Sequence, residues 1–199
     1  MKVKAYGTRE HPSVAASLHG LANVLVRLGK YAEAETSCRE SIDVTVKAYG
    51  TREHPSVAAS LHGLANVLVR LGKYAEAEQA WVSVVDIDER VYGSRRTAAT
   101  IPTLATLAQL SLKLGRPQDA LAWSSEAWLA ATEGQLLLLE TVQVGPIHLL
   151  CLLANQDSER ARELMPKLLH ALAQFPDNHP ARQSTEAQLA QLLPAPEES

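Results

Sequence analysis

The sequence predicts an all-α solenoid of about four helix pairs that ends in a capping helix. Residues 3–35 and 46–78 are identical at every position, so the chain contains a tandem duplication with a period of 43 residues. Within each copy, apolar residues recur at the i, i+3, i+4, i+7 spacing of one helix face. No segment shows the sustained apolar and polar alternation of a strand. Because a lone helix pair exposes apolar surface on both sides, tandem copies are expected to stack.

Each copy is predicted to hold two helices. In the first copy, Pro12 stands where its missing N–H costs nothing, and Gly29 can close the first helix in the left-handed conformation. The apolar stripe between them is formed by Leu18, Leu21, Ala22, Leu25 and Leu28. The second helix is expected to run from Tyr31 to Tyr49 and to end at Gly50.

The third copy is diverged and the fourth is weak. Stepping 43 residues from Gly72 leads to Gly115, whereas in the fourth copy Ile147 and Leu150 keep the register but Ser158 stands in the glycine position. The predicted parts are the end of a preceding, truncated repeat (1–10), four repeats (11–53, 54–96, 97–134 and 135–176), a capping helix (177–193) and a disordered tail (194–199).

The two ends of the array differ. Near the C-terminus, Pro146 is expected to begin or kink one helix and Pro166 to interrupt the next. Residues 181–193, rich in Gln and Glu, are typical of a cap with a polar outer face. The chain opens on the end of a motif, which suggests a fragment or a truncated array. Its first apolar face is therefore expected to bind an upstream domain or to mediate self-association.

The run L-x-x-L-A followed by G-K-Y-x-E-A-E resembles a tetratricopeptide repeat. The matching positions are Leu18, Leu21, Ala22, Gly29, Tyr31 and Ala34, and Leu61, Leu64, Ala65, Gly72, Tyr74 and Ala77. The long period and the HPSVA opening are similar to the long-helix variety found in kinesin light chains, and the resemblance covers about residues 3–132. It implies a right-handed superhelix in which the first helix of each repeat lines a concave groove for a partner peptide or helix.

Polar residues follow the Leu stripe of each predicted first helix at a spacing of four. They are His19, Asn23 and Arg27, then His62, Asn66 and Arg70, then Gln109 and Lys113. Stacked in register, they would form a ladder of donors suited to the carbonyls and carboxylates of an extended ligand. We therefore predict a partner-binding groove here, with an acidic or C-terminal peptide as ligand, although the paired-lysine carboxylate clamp of some family members is not matched. Plain solvent exposure of the strip is the alternative interpretation.

Composition and charge argue against several classes of protein. A hydrophobic content of 46% with 21% charged residues suits a packed chain rather than a disordered polymer. A formal net charge of -3 gives no general attraction to nucleic acid or anionic lipid, and no segment is apolar enough to span a bilayer. Two distant cysteines, Cys38 and Cys151, indicate no disulfide framework and favour a reducing, cytoplasmic location.

No motif for catalysis, a cofactor or a metal is present in the sequence. His11 and His19 are eight residues apart with no cysteine or HExxH spacing nearby, and Gly29-Lys30 lacks the rest of a phosphate-loop frame. The predicted function is therefore a protein–protein interaction scaffold and not an enzyme. The alternatives are a structural spacer or self-association module with no groove ligand, and a regulatory sensor module of a larger signalling protein.

Overall fold

The computed structural model describes residues 11–133 and 138–192. Over these ranges it has nine α-helices and no strand, which confirms the all-α prediction. The helices are α1 (Pro12–Arg27), α2 (Tyr31–Tyr49), α3 (Pro55–Arg70), α4 (Tyr74–Tyr92), α5 (Ile101–Lys113), α6 (Pro117–Glu133), α7 (Leu138–Ala154), α8 (Ser158–Leu172) and α9 (Pro180–Leu192). The truncated repeat expected at 1–10 and the tail expected at 194–199 lie outside the described residues.

Histidine side chains cap the first helix of each duplicated copy. Nδ1 of His11 accepts a hydrogen bond from the backbone N–H of Ser13 at 3.1 Å, and His54 does the same for Ser56. A proline occupies the first turn of both helices, where an N–H would have no partner. Gly50 ends α2 with φ of 70°, the left-handed conformation that the sequence predicts for a helix terminus.

The chain divides into two compact units, Met1–Arg95 and Arg96–Ser199. In the first unit α1 packs on α2, α2 on α3 and α3 on α4, and α1 also touches α3. In the second unit α5 packs on α6, α6 on α7 and α7 on α8, and α5 also touches α7. Each unit therefore contains two helix pairs, in which the second helix of one pair lies against both neighbouring first helices.

The duplicated copies differ in burial although their sequences are the same. Leu21 is 48% exposed and Val24 is 52% exposed, whereas their equivalents Leu64 and Val67 are 5% and 1% exposed. The difference arises because α2 packs on α3, while no helix of the described residues precedes α1. Stacking against the preceding repeat, rather than the sequence of the repeat itself, buries this stripe.

Helix α9 covers part of the second unit. It packs on α7, where Oγ1 of Thr185 donates a hydrogen bond to the carbonyl of Val142 at 3.1 Å. Leu189 is buried on the same helix, while Gln188 and Gln191 are exposed. This division between a buried and a polar face is that of the predicted capping helix.

The two C-terminal prolines lie inside helices. Pro166 is exposed within α8, which continues to Leu172, so the predicted interruption is wrong. The carbonyl that loses its helical donor at this position can be hydrated, because this side of α8 faces solvent. Pro146 is buried within α7 and does not begin it.

The register predicted for the fourth repeat is wrong by two residues. The left-handed residue between α7 and α8 is Gln156, with φ of 59°, whereas Ser158 is the first residue of α8. The N–H of Asp157 donates to the carbonyl of Leu152, the same closing bond that Arg116 and Lys30 make in earlier repeats. The buried positions of α7 consequently include His148 and Leu149, and Leu150 is exposed.

The two-residue shift falls between the turn at Gly115 and the turn at Gln156. The turn that joins the two helices of a pair is closed by the same backbone bonds in each repeat, so its length is conserved. Gln156 comes 41 residues after Gly115, so a fixed 43-residue step passes the left-handed residue of the fourth repeat by two positions.

Ser111 provides a test of the packing in the second unit. It occupies the position of Leu25 and Leu68, is 0% exposed, and its Oγ has no hydrogen-bond partner among the described residues. We expect Ser111→Ala to raise the free energy of unfolding by about 1 kcal/mol, because an unsatisfied buried hydroxyl is removed. Urea denaturation measures the change. Ser124→Ala is the matched control, since Ser124 is equally buried but donates to the carbonyl of Leu121 at 3.2 Å, and it should destabilise. A loss of stability in Ser111→Ala would contradict the prediction.

Candidate functional site

Helices α1 and α3 frame a cleft of about 440 Å³, and side chains of α2 form its floor. Most of the lining side chains are small, which leaves the space between the two first helices open. The lining includes Ser13, Ala16, His19, Ser41, Thr45 and Ala59. A cleft of this size accommodates a side chain or a short extended segment of a ligand.

The hydroxyl groups of the floor are engaged within the protein. Oγ of Ser41 donates to the carbonyl of Ala15 at 3.0 Å and lies 3.3 Å from Oγ of Ser60. Oγ1 of Thr45 donates to the carbonyl of Ser41 at 2.7 Å. These bonds satisfy polar groups that would otherwise be buried unpaired. The two contacts of Ser41 also join α2 to α1 and α3 beneath the cleft.

His19 contributes a polar atom with unused hydrogen-bonding capacity. Its Nδ1 is buried and has no partner among the described residues. The ring packs against Gly63 of α3, where an added Cβ would approach Cε1 of His19 to 3.2 Å. Glycine at this position therefore allows the close approach of α3 to the imidazole ring, which lines the cleft.

Most members of the predicted polar strip are exposed, but the histidines are not fully so. The exposed residues are Asn23, Arg27, Asn66, Arg70, Gln109 and Lys113, and the half-buried ones are His19 and His62. The side-chain amide of Asn66 donates to the carbonyl of His62 at 3.0 Å within α3. In the second unit, Gln109 lines a cleft of about 200 Å³ together with Leu150 and Gln188.

His62 lies beside two residues of α4 that the sequence analysis did not single out. Its ring centroid is 6.4 Å from that of Trp81 in an edge arrangement. Burial lowers the pKa of His62, although the neighbouring carboxyl of Asp88 favours the charged ring. Burial also raises the pKa of Asp88, which is 7% exposed. At neutral pH the His62 ring is therefore uncharged, and the positive charge of the strip on α3 lies on Arg70.

The serine and threonine side chains of the cleft were not predicted from the sequence. The available signal was their placement on the apolar side of the helices, with Ser13 and Ser56 and again Ser17 and Ser60 at equivalent positions. Within residues 11–133 and 138–192, no group of three or more His, Cys, Asp and Glu side chains is arranged to hold a metal ion. None of the helices in the described part of the chain is long and apolar enough to cross a membrane.

Solved structures with the same fold are available for comparison. Two crystal structures of nearly identical kinesin light chain TPR-like repeats from Podosopora anserina align with TM-scores of 0.76 and 0.74 at 24% identity, each covering 91% of this chain. The alignments include 85% and 86% of the residues of those two chains. BtubC (BKLC) from P. vanneervenii aligns with a TM-score of 0.73 at 19% identity, covering 85% of this chain and 67% of that chain. At these identities the likeness concerns the fold, and it confirms the predicted kinesin light chain-like arrangement of helices.

The family is shown by sequence as well as by structure. A search among curated proteins returns no match. A family model described as tetratricopeptide repeat matches residues 13–80 and 56–127, which together span more than half of the chain. Repeats of this type generally mediate interactions between proteins, and the comparisons indicate no catalytic family. The chain therefore belongs to the tetratricopeptide repeat family.

Proposed function

We propose that the protein binds a peptide or helix of a partner protein along α1 and α3 and inserts part of that ligand into the cleft between them. The observation that carries the proposal is the cleft itself, which is open and lined mainly by small side chains together with the ring of His19. A ligand side chain that enters the cleft would pack against the His19 ring and the small side chains of α1 and α3.

The charge of the strip favours an acidic ligand. Arg27 and Arg70 are exposed at equivalent positions of α1 and α3. A guanidinium group binds a carboxylate through two parallel hydrogen bonds, so each arginine suits an Asp or Glu side chain or a C-terminal carboxylate. The neighbouring amides of Asn23 and Asn66 suit the backbone of an extended segment.

We expect Asn66→Ala combined with Arg70→Ala to weaken binding of an acidic peptide about tenfold or more, because a charge-assisted hydrogen bond contributes about 1.5 to 3 kcal/mol. Peptides are first selected on an array with the wild-type chain, and affinities are then measured by fluorescence anisotropy. Thr36→Ala with Arg39→Ala on α2 is the matched control, since it removes the same charge and one polar side chain outside the strip. Equal affinities of the wild type and the Asn66/Arg70 variant would contradict the groove assignment.

A second candidate function is self-association through the uncovered face of α1. The observation that favours it is the exposure of Leu21, Val24 and Leu28, an apolar patch of a kind that often marks an interface. Sedimentation velocity over a wide concentration range distinguishes this candidate. A mass that rises with concentration, and that Leu21→Glu returns to the monomer value, would favour self-association over the groove.

We infer further that the protein works in the cytoplasm as a scaffold without catalytic activity. Both cysteines, Cys38 and Cys151, are free and buried, which suits a reducing compartment. No pair of acid and base groups lines the cleft, where the titratable side chains of the lining are His19 and Tyr49. A binding role therefore accounts for the arrangement better than a chemical one.

A further inference from the structure

The exposed face of α1 has the same residues as the face of α3 that packs on α2. This end face, as we name it, consists of the apolar side chains Leu21, Val24 and Leu28 and the charged side chains Lys30 and Glu33. All five have identical counterparts 43 residues later, in the second copy. The counterparts lie where α2 packs on α3, so the contacts of α2 show what the end face is built to receive.

The apolar part of that interface involves one side of α2. Ile42 packs against the buried cluster that contains Val57 and Ala58 of α3. Cys38, one turn earlier, lies against Gly63, where an added Cβ would be 3.9 Å from its sulfur. Because α2 packs on α3 in this way, the side chains of Leu64 and Val67 are exposed by only a few per cent.

The charged part of the interface is a network of ion pairs across the two repeats. Nζ of Lys73 lies 2.9 Å from Glu35, and a guanidinium nitrogen of Arg39 lies 2.7 Å from Glu76. Arg39 also pairs with Glu35 at 2.8 Å within α2. The hydrogen bond from Lys73 lowers the pKa of Glu35, the least exposed member of the network. Two residues of α2, Glu35 and Arg39, therefore form ion pairs with Lys73 and Glu76, which follow α3.

The first copy carries the same Lys and Glu, and none of the described helices packs on them from the side that α2 occupies in the second copy. Lys30 and Glu33 pair with one another at 3.1 Å, and both side chains are more than half exposed. The end face therefore presents the apolar stripe and both charges of the α3 interface in the same order along the sequence.

We propose that the end face of α1 is a docking surface for a helix of the α2 type in another polypeptide. The ligand helix carries Glu, a small apolar residue three positions later, Arg four positions later and Ile or Val seven positions later, as at 35, 38, 39 and 42. The Glu pairs with Lys30 and the Arg with Glu33, while the apolar side chains cover Leu21 and Val24. This surface lies apart from the proposed peptide-binding strip, and its assignment does not depend on that strip.

A second copy of the chain fits this surface less well. Its own α2 is already packed on α3. The equivalent second helix of the last repeat is α8, in which the register of Gln156 places Arg162 in the position of Glu35 and Pro166 in that of Arg39. Arg162 would meet Lys30 with a charge of the same sign, and no cation would face Glu33.

The test uses the complete chain and a labelled peptide of residues 31–49 in which the cysteine is replaced by alanine. Fluorescence anisotropy should show saturable binding to the wild-type chain. Leu21→Glu combined with Val24→Glu should abolish it, and these exposed changes should leave the circular dichroism spectrum unaltered. Lys30→Glu should weaken binding about fivefold or more, and a peptide carrying Glu35→Lys should recover that loss on the Lys30→Glu chain.

The groove variant with Asn66→Ala and Arg70→Ala separates this proposal from the proposed function, because it should bind the α2 peptide as the wild type does. The proposal is overturned if the peptide does not bind, or if binding is indifferent to the charge at Lys30. It is also overturned if the Leu21/Val24 variant still binds, since the peptide would then be replacing α2 on α3. A concentration-dependent dimer that Leu21→Glu abolishes, without peptide binding, would identify a second copy as the occupant instead.

Discussion

Leu64→Ala is expected to lower the free energy of unfolding of the first unit by about 2 to 5 kcal/mol, the range for truncating a buried leucine. Leu64 is 5% exposed on α3, where α2 packs beside it. Removing three carbons there leaves a cavity at the contact between two repeats. Hydrogen exchange measured by mass spectrometry should show faster opening of α2, α3 and α4 together, because these helices share the interface.

Leu21→Ala is the matched control, because the surrounding sequence is identical. Leu21 is 48% exposed, so its truncation should cost less than about 1 kcal/mol and should leave exchange in α3 and α4 unchanged. Equal effects of the two substitutions would mean that each repeat buries its own leucine. The stacking account would then be wrong.

Acid is expected to destabilise the second unit through His148. Burial lowers the pKa of His148 to about 4, the charge of Arg160 adds to this effect, and Asp157 opposes it. Nδ1 of the ring lies 3.0 Å from Oγ of Ser124, and the ring stacks on Trp128. His148 thus occupies a buried leucine position as a neutral, hydrogen-bonded ring.

The direction of the pH effect follows from proton binding. Between the ordinary histidine value of 6.5 and about 4, the unfolded chain binds a proton that the folded chain does not. Above pH 6.5 His148 does not lower the free energy of unfolding. Below it the free energy of unfolding falls by about 1.4 kcal/mol per pH unit, for a total of order 3 kcal/mol. Urea denaturation followed by the fluorescence of Trp123 and Trp128, at several pH values, measures the slope.

His148→Leu should remove this contribution and retain the fold. Leucine is the residue found at the equivalent positions 64 and 107, and Ser124 still donates to the carbonyl of Leu121 without the imidazole ring. The measured quantity is the difference in slope between wild type and variant, since other groups titrate in both. Identical slopes would show that His148 does not carry the acid sensitivity.

Much of the fold is predictable because the two identical copies repeat the residues that begin and end each helix. Proline at the start of α1 and glycine after α2 and α4 fix helix ends through backbone chemistry, which depends on one or two residues. The fourth repeat is different. Its left-handed residue, Gln156, comes two positions before the one that a 43-residue step predicts. The buried position held by leucine in earlier copies is held there by His148, so apolar periodicity points to the wrong residues.

The candidate site is only partly predictable for a related reason. Exposure of Asn66 and Arg70 follows from the helical period, because it is a property of one helix. The half-burial of His19 against Gly63, and the hydroxyl floor beneath the cleft, depend on how closely two repeats approach each other. The spacing of residues along one helix does not determine how closely that helix approaches another, so these contacts could not be predicted from the sequence pattern.

Photo-crosslinking can show whether the first helices form the protein-binding surface. An array-selected acidic peptide carrying a photoreactive leucine is irradiated with the full chain, and the attachment sites are mapped by mass spectrometry. We expect attachment on α1 and α3 around His19 and Asn66, and loss of attachment in the variant with Asn66→Ala and Arg70→Ala. Attachment concentrated on the exposed surfaces of α2 and α4, unchanged in that variant, would contradict it.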